Sequence, residues 1–324
     1  MTLIKHNKGI YLDNSIIESL ENTDAIIFDC DGVLIDITKS YDLTIDKTTK
    51  YVLENFSNID DAIEIDSKII DGFKSTGGFN DEVDLAYATI ISIFVAKKTQ
   101  RNQRDLIFDV IKNCDTSGIV SAETYLKTLS DFDEIKNKLS YPGSHHNNPL
   151  YKIFDQLFYG PELYGKLFND KSKFSEAGLI ENDVVIINDS LISTLKSKYD
   201  SKIAIVTGRG KESVSYSLKH ILKEFDIDNC AFLEDESRSL AKPNPESLIC
   251  SIKGMKSNHS LYVGDSMEDL IMAKKASETG HKTTFCGIIG TSKDPAQKLD
   301  LFEKNGAHIV LDSIELLPKV LNLE

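Results

Sequence analysis

The chain has 324 residues, with 41% hydrophobic and 27% charged residues, so it carries enough apolar side chains for a buried core without a disulfide or metal staple. Its 37 basic residues face 51 acidic ones, a net charge of −14, which argues against a general nucleic-acid-binding surface but leaves small phosphorylated ligands open. The apolar runs are too short to span a bilayer, and residues 1–24 lack the apolar core of a signal peptide, so the expectation is a cytoplasmic protein with no membrane partner. The five cysteines form no CxxC pair and are expected to be reduced thiols.

In chain order, residues 1–24 read as an N-terminal extension. Ala25–Asp29 (AIIFD) is then a short, wholly apolar run that ends in an acid. Similar runs recur at Ile203–Thr207, Ala231–Leu233, Leu261–Gly264, Thr283–Cys286 and His308–Leu311, the pattern of strands buried on both faces. They alternate with helix-like stretches at Leu191–Tyr199, Glu212–Phe225, Pro245–Lys253 and Met267–Thr279. That alternation predicts an α/β fold with a Rossmann-like parallel sheet and helices on both faces.

Residues 37–188 have a different texture. Apolar residues recur there at helical spacing (Leu106, Ile107, Val110, Ile111; Leu150, Ile153, Phe154, Leu157, Phe158; Val184, Ile187, Leu191, Leu195), broken by turn clusters at Ser75–Asn80, Pro142–Pro149 and Gly160–Pro161. The predicted layout is an α/β core of residues 25–36 and 189–324, interrupted after its first strand by a helical domain over 37–188.

The chemistry-bearing residues fall at predicted strand ends, where open α/β sheets bind ligands. Asp29 and Asp31 form DxDG with Cys30 and Gly32; two carboxylates this close invite a divalent cation, although a lone DxDG is equally a solvated turn. Thr207 is followed by Gly208, Arg209 and Gly210, a hydroxyl and a run of backbone N–H groups before a helix, suited to an anion. A P-loop is excluded because its first glycine would fall at Ile205. Lys242 lies between the third strand and a helix, in AKPNPE. Asp265 ends a strand, and Asp269 stands one helical turn later in GDSMED.

These four motifs, in this order, resemble the haloacid dehalogenase-like (HAD) hydrolases, and the resemblance covers the whole α/β portion. It implies that Asp29 is the nucleophile that forms an aspartyl-phosphate and that Asp31 is the general acid and then base. It further implies Mg2+ held by the Asp29 carboxylate, the Asp31 carbonyl and Asp265, with Asp269 behind them. Thr207, Gly208 and Lys242 would meet the phosphoryl group of a small phosphorylated metabolite, and Arg209 would either touch that phosphate or pair with a carboxylate. The second acid, Asp31, argues against the metal-free dehalogenase branch. The helical insertion between motifs one and two resembles the family's helical cap, although it is larger than usual. The expected activity is that of a Mg2+-dependent phosphatase; the alternatives are a phosphomutase of β-phosphoglucomutase type and a non-catalytic HAD-like binding protein. Within the insertion, Phe79 and Asn80 are candidates for substrate contact, competing with a plain turn, and His145–His146 are a candidate metal-ligand pair, competing with a solvent-exposed loop.

Overall fold

The computed structural model describes residues 3–79, 81–143 and 148–323, so Asn80 and His145–His146 lie outside the described residues. The chain forms two compact units: Met1–Ile37 with Asp183–Glu324, and Thr38–Asn182. It begins with strands β1 (Ile4–Asn7) and β2 (Ile10–Leu12), helix α1 (Ile17–Glu21), β3 (Ala25–Phe28) and the short β4 (Ile35–Asp36). The second unit contains α2 (Thr38–Ser57), α3 (Ser67–Ser75), α4 (Glu82–Thr99), α5 (Gln103–Asn113), α6 (Ile119–Lys127), α7 (Asp133–Leu139) and α8 (Pro149–Phe168). The first unit resumes with β5 (Val184–Val185), α9 (Asp189–Tyr199), β6 (Ile203–Thr207), α10 (Lys211–Leu218), β7 (Ala231–Phe232) and α11 (Glu246–Gly254). It ends with β8 (Ser260–Gly264), α12 (Met267–Glu278), β9 (Thr283–Ile288), α13 (Pro295–Lys304), β10 (Ile309–Leu311) and α14 (Leu317–Val320).

Eight strands form one sheet in the order β1-β2-β10-β9-β8-β3-β6-β7. The six from β10 to β7 are parallel, whereas β1 and β2 add an antiparallel edge. Residues 1–24, which read as an extension, thus supply two strands to the sheet. Their three- and four-residue runs were too short for a pattern argument, and β2 is held by its partner β10. The core strands alternate faces with the two-residue period of a pleated sheet. Ile26 and Phe28 pack with Leu191, Leu195, Val214 and Leu218 on one side, while Ala25 and Ile27 pack with Leu248, Ile252, Leu270 and Ala273 on the other. Helices therefore cover both faces, which is why β3, β6 and β8 are apolar at nearly every position.

The helical unit has its own core. Its α4 is buried from Val83 to Ala96 apart from Asp84, an apolar helix enclosed by its neighbours rather than laid on a surface. Phe79 is fully buried and meets Phe73 edge-on at 4.8 Å, so this side chain is part of the unit's core and not a substrate contact. At Gly160–Pro161 the chain does not turn away; α8 continues beyond a kink at Gly160, whose φ of 71° is a conformation that glycine adopts without strain. Val184, which fits a helical spacing in the sequence, lies instead in β5, antiparallel to β4, and α9 starts only where Asn188 caps it. The division between units accordingly falls at 182/183 rather than at 188. Among the described residues, no helix is long and apolar enough to cross a membrane.

Candidate active site

Three adjacent strands, β8, β3 and β6, end on the same edge of the sheet and place the motif residues there. Asp29 follows β3, and its N–H donates to Val263 O of β8 at 2.8 Å, which fixes the start of the loop. Gly32 turns that loop with φ +72°, and a Cβ at this position would collide with the Asp265 carboxylate. The Gly32 carbonyl accepts from the Thr291 hydroxyl at 2.9 Å. One glycine thus lets motifs one and four approach closely.

Lys242 is the cation of the buried part. Its Nζ lies 2.8 Å from Asp29 Oδ1 and 2.7 Å from Asp269 Oδ1, with all three side chains nearly inaccessible to solvent. Burial pulls the lysine pKa down, but Asp269 and Asp29 more than offset it, so the ammonium is held well above the ordinary lysine value. Asp269 is anchored by more than the lysine. Its carboxylate also accepts from the Tyr262 hydroxyl (2.8 Å), the N–H groups of Asp265 (3.1 Å) and Ser266 (3.0 Å), and the Ser266 hydroxyl (2.7 Å). Ser266 caps α12, and Asp269 closes the reciprocal capping box at N3, so the GDSxxD motif is in part a helix start. Burial raises the Asp269 pKa, whereas Lys242 and these donors lower it, and the net shift is downward.

Asp29 differs. Burial pushes its carboxyl up to about 8; Lys242 opposes the shift, and Asp269, Asp265 and Asp31 add to it. Ligand atoms of Asp29, Asp265 and Asp269 lie within 4.8 Å of one another. Asp29 Oδ1 is buried and faces Lys242 without aligned hydrogen-bond geometry, so it retains acceptor capacity. An acidic group with fewer cations than carboxylates, with oxygen donors converging, fits a hard divalent cation. Asp29 and Asp265 are the carboxylates suited to ligation, since the oxygens of Asp269 already accept five donors.

The side chains of Asp31 and Arg209 pair with each other. The Asp31 side chain is not part of the three-acid group: its Oδ1 lies 2.5 Å from Arg209 Nε. Of the two roles open to Arg209, the structure shows the pairing with carboxylates. Arg209 is 3% exposed and also grips Asp183 at 2.9 Å and the Ser217 hydroxyl at 3.1 Å. Nor are all the N–H groups before α10 available to an anion: Gly210 N donates to Glu234 at 2.8 Å and Lys211 N to Asp235 at 2.8 Å. Thr207 Oγ1 accepts from Arg209 N at 3.3 Å, and the backbone at Gly208 is open, since a Cβ there would meet nothing within 4 Å. Tyr262, Asp183 and Lys298 (2.7 Å from Asp265 Oδ2) were not singled out from sequence. Tyr262 stood within a strand run, and the other two are single charged residues in polar surroundings with no motif around them.

A family model described as haloacid dehalogenase-like hydrolase matches residues 23–277. The chain belongs to the haloacid dehalogenase-like hydrolases. Among solved structures of HAD-type fold, it is similar to phosphatase Tt82 from Thermococcus thioreducens, at TM-score 0.58 and 19% identity over 87% of this chain and 99% of that one. A predicted phosphoglycolate phosphatase from Haemophilus somnus 129PT gives TM-score 0.52 and 15% identity over 92% and 98%. At these identities the two share the HAD fold with this chain. A curated relative, imidazoleglycerol-phosphate dehydratase of Phytophthora nicotianae, is 27% identical over 156 residues, 44% of this HAD-like chain and 33% of that protein. The chain thus spans about a third of that relative's length.

Proposed function

We propose that the protein is a Mg2+-dependent phosphatase that hydrolyses a small phosphomonoester through an aspartyl-phosphate on Asp29. The observation that carries this reading is the convergence of Asp29, Lys242, Asp265 and Asp269 beyond the ends of β3 and β8, with Asp31 and Thr207 on the same sheet edge. Asp29 and Asp265 would hold the cation, with the Asp31 carbonyl as a further oxygen. When bound, Mg2+ neutralises the carboxylates and phosphoryl oxygens that would otherwise repel one another.

This chain's own residues account for the remaining steps. An Asp29 oxygen attacks phosphorus while the bond to the substrate oxygen breaks, and Asp31 donates a proton to that leaving oxygen. Asp31 then removes a proton from water, which attacks phosphorus, and the bond to Asp29 breaks to release inorganic phosphate. Lys242 and Thr207 stabilise charge on the phosphoryl oxygens, and the open backbone at Gly208 gives a third point of approach. Arg209 holds Asp31 instead of the substrate. Five free cysteines suit a reducing compartment, which supports a cytoplasmic setting.

The test is phosphate release by the full chain with Mg2+, across phosphoglycolate, hexose phosphates, imidazoleglycerol phosphate and an aryl phosphate. The expected result is turnover of at least one of them, abolished by excess chelator and by Asp29→Asn. Turnover that persists in chelator contradicts the metal role. Interconversion of phosphate isomers without phosphate release would make the protein a mutase.

A further inference from the structure

Asp265 carries a partner that the four motifs do not include. Lys298, in the first turns of α13, places Nζ 2.7 Å from Asp265 Oδ2, with the two side chains 18% and 25% exposed. The oxygen is confined from the other side too, because it is the atom that a Cβ on Gly32 would strike. The segment that carries Lys298 is itself tied to the site, since Thr291 donates to the Gly32 carbonyl. The ammonium is therefore held against one of the two carboxylates able to turn to a divalent cation. The other, Asp29, already faces Lys242.

We propose that Lys298 sets the protein's affinity for its divalent cation by competing for Asp265. In the metal-free protein its ammonium neutralises and orients the Asp265 carboxylate. A cation that ligates Asp265 must displace the ammonium or share the carboxylate with a like charge, and either weakens binding. The lysine thereby keeps the acidic group ordered without metal and makes loading depend on the free metal concentration. This inference rests on the metal reading above and adds to it a residue outside the motifs.

Mn2+ serves as the probe, with its binding to the chelator-treated full chain measured by calorimetry and by the loss of the free-ion paramagnetic signal. Lys298→Gln and Lys298→Met are expected to bind Mn2+ about tenfold more tightly than the unaltered protein. Lys298→Arg, which keeps the charge, is expected to stay close to it. The melting temperature of Lys298→Gln should fall without metal and recover with it. Unchanged or weaker Mn2+ binding in both neutral variants overturns the proposal, as does an effect confined to inorganic phosphate binding, which would make Lys298 an anion ligand. Absence of Mn2+ binding in every form, with Asp265→Asn no different, overturns the metal reading itself and this inference with it.

Discussion

Arg209 shows how one side chain serves a site without facing the substrate. Its guanidinium is buried among Asp31, Asp183 and Ser217, and the fork geometry lets it hold two carboxylates at once. Since Asp31 is the proposed acid and base, Arg209 acts through it as a positioning residue. Arg209→Gln is expected to lower kcat by about 10- to 100-fold with little change in KM, the size of a lost proton-transfer alignment. The loss should be smaller for an aryl phosphate, whose leaving oxygen needs no proton. Arg209→Lys should recover only part of it, because one ammonium cannot span both acids. Steady-state kinetics on the two substrate types check this, and a rise in KM alone would return Arg209 to phosphate binding.

At the scale of elements, the sheet is stapled below the site by Asp24, just before β3. Its carboxylate accepts from Ser257 Oγ at 2.6 Å and from the N–H groups of Asn258 and His259, and it faces Lys202 at 3.3 Å. Burial raises its pKa, but these partners outweigh burial and bring it to about 2. His259, buried against Thr284, is brought down to about 4 by burial and by Lys282. Both folded-state values are depressed, so both contributions are complete above the unfolded-state pKa and are lost as pH falls. That from His259 is lost between about pH 6.5 and 4, and that from Asp24 between about 4 and 2. Denaturant titrations should show stability declining in both windows. His259→Gln should remove the upper decline, up to about 3 kcal/mol, and leave the lower one. A variant with the same slope from pH 6.5 to 4 would show that another group titrates there.

Over the whole molecule, what the sequence revealed depended on how much of each signal was local. Strands buried on both faces are continuous apolar runs, so β3, β6 and β8 and the acids at their ends were legible, and the order of motifs carried the family. The hairpin β1–β2 and the pair β4–β5 are short and stabilised by partners distant in sequence, which a local pattern does not show. For Arg209 the sequence left phosphate contact and carboxylate pairing both open, because its partner Asp183 lies 26 residues earlier in a segment without a signature. Phe79 sat in a Gly-Gly turn that looked exposed, yet its ring fills the helical unit's core. Lys298 is one lysine among many until the fold brings it to Asp265.

The central claim, a phosphoryl group carried on Asp29, is tested most directly by mass spectrometry of Asp31→Asn quenched in acid during reaction with an aryl phosphate. The good leaving group lets the first step proceed without the acid, while loss of the base slows the second, so a phosphorylated form should accumulate. The account predicts that fragmentation places the phosphoryl group on Asp29 and that the additional Asp29→Asn substitution removes it. Steady turnover with no phosphorylated protein, or a phosphoryl group on any other residue, would contradict it.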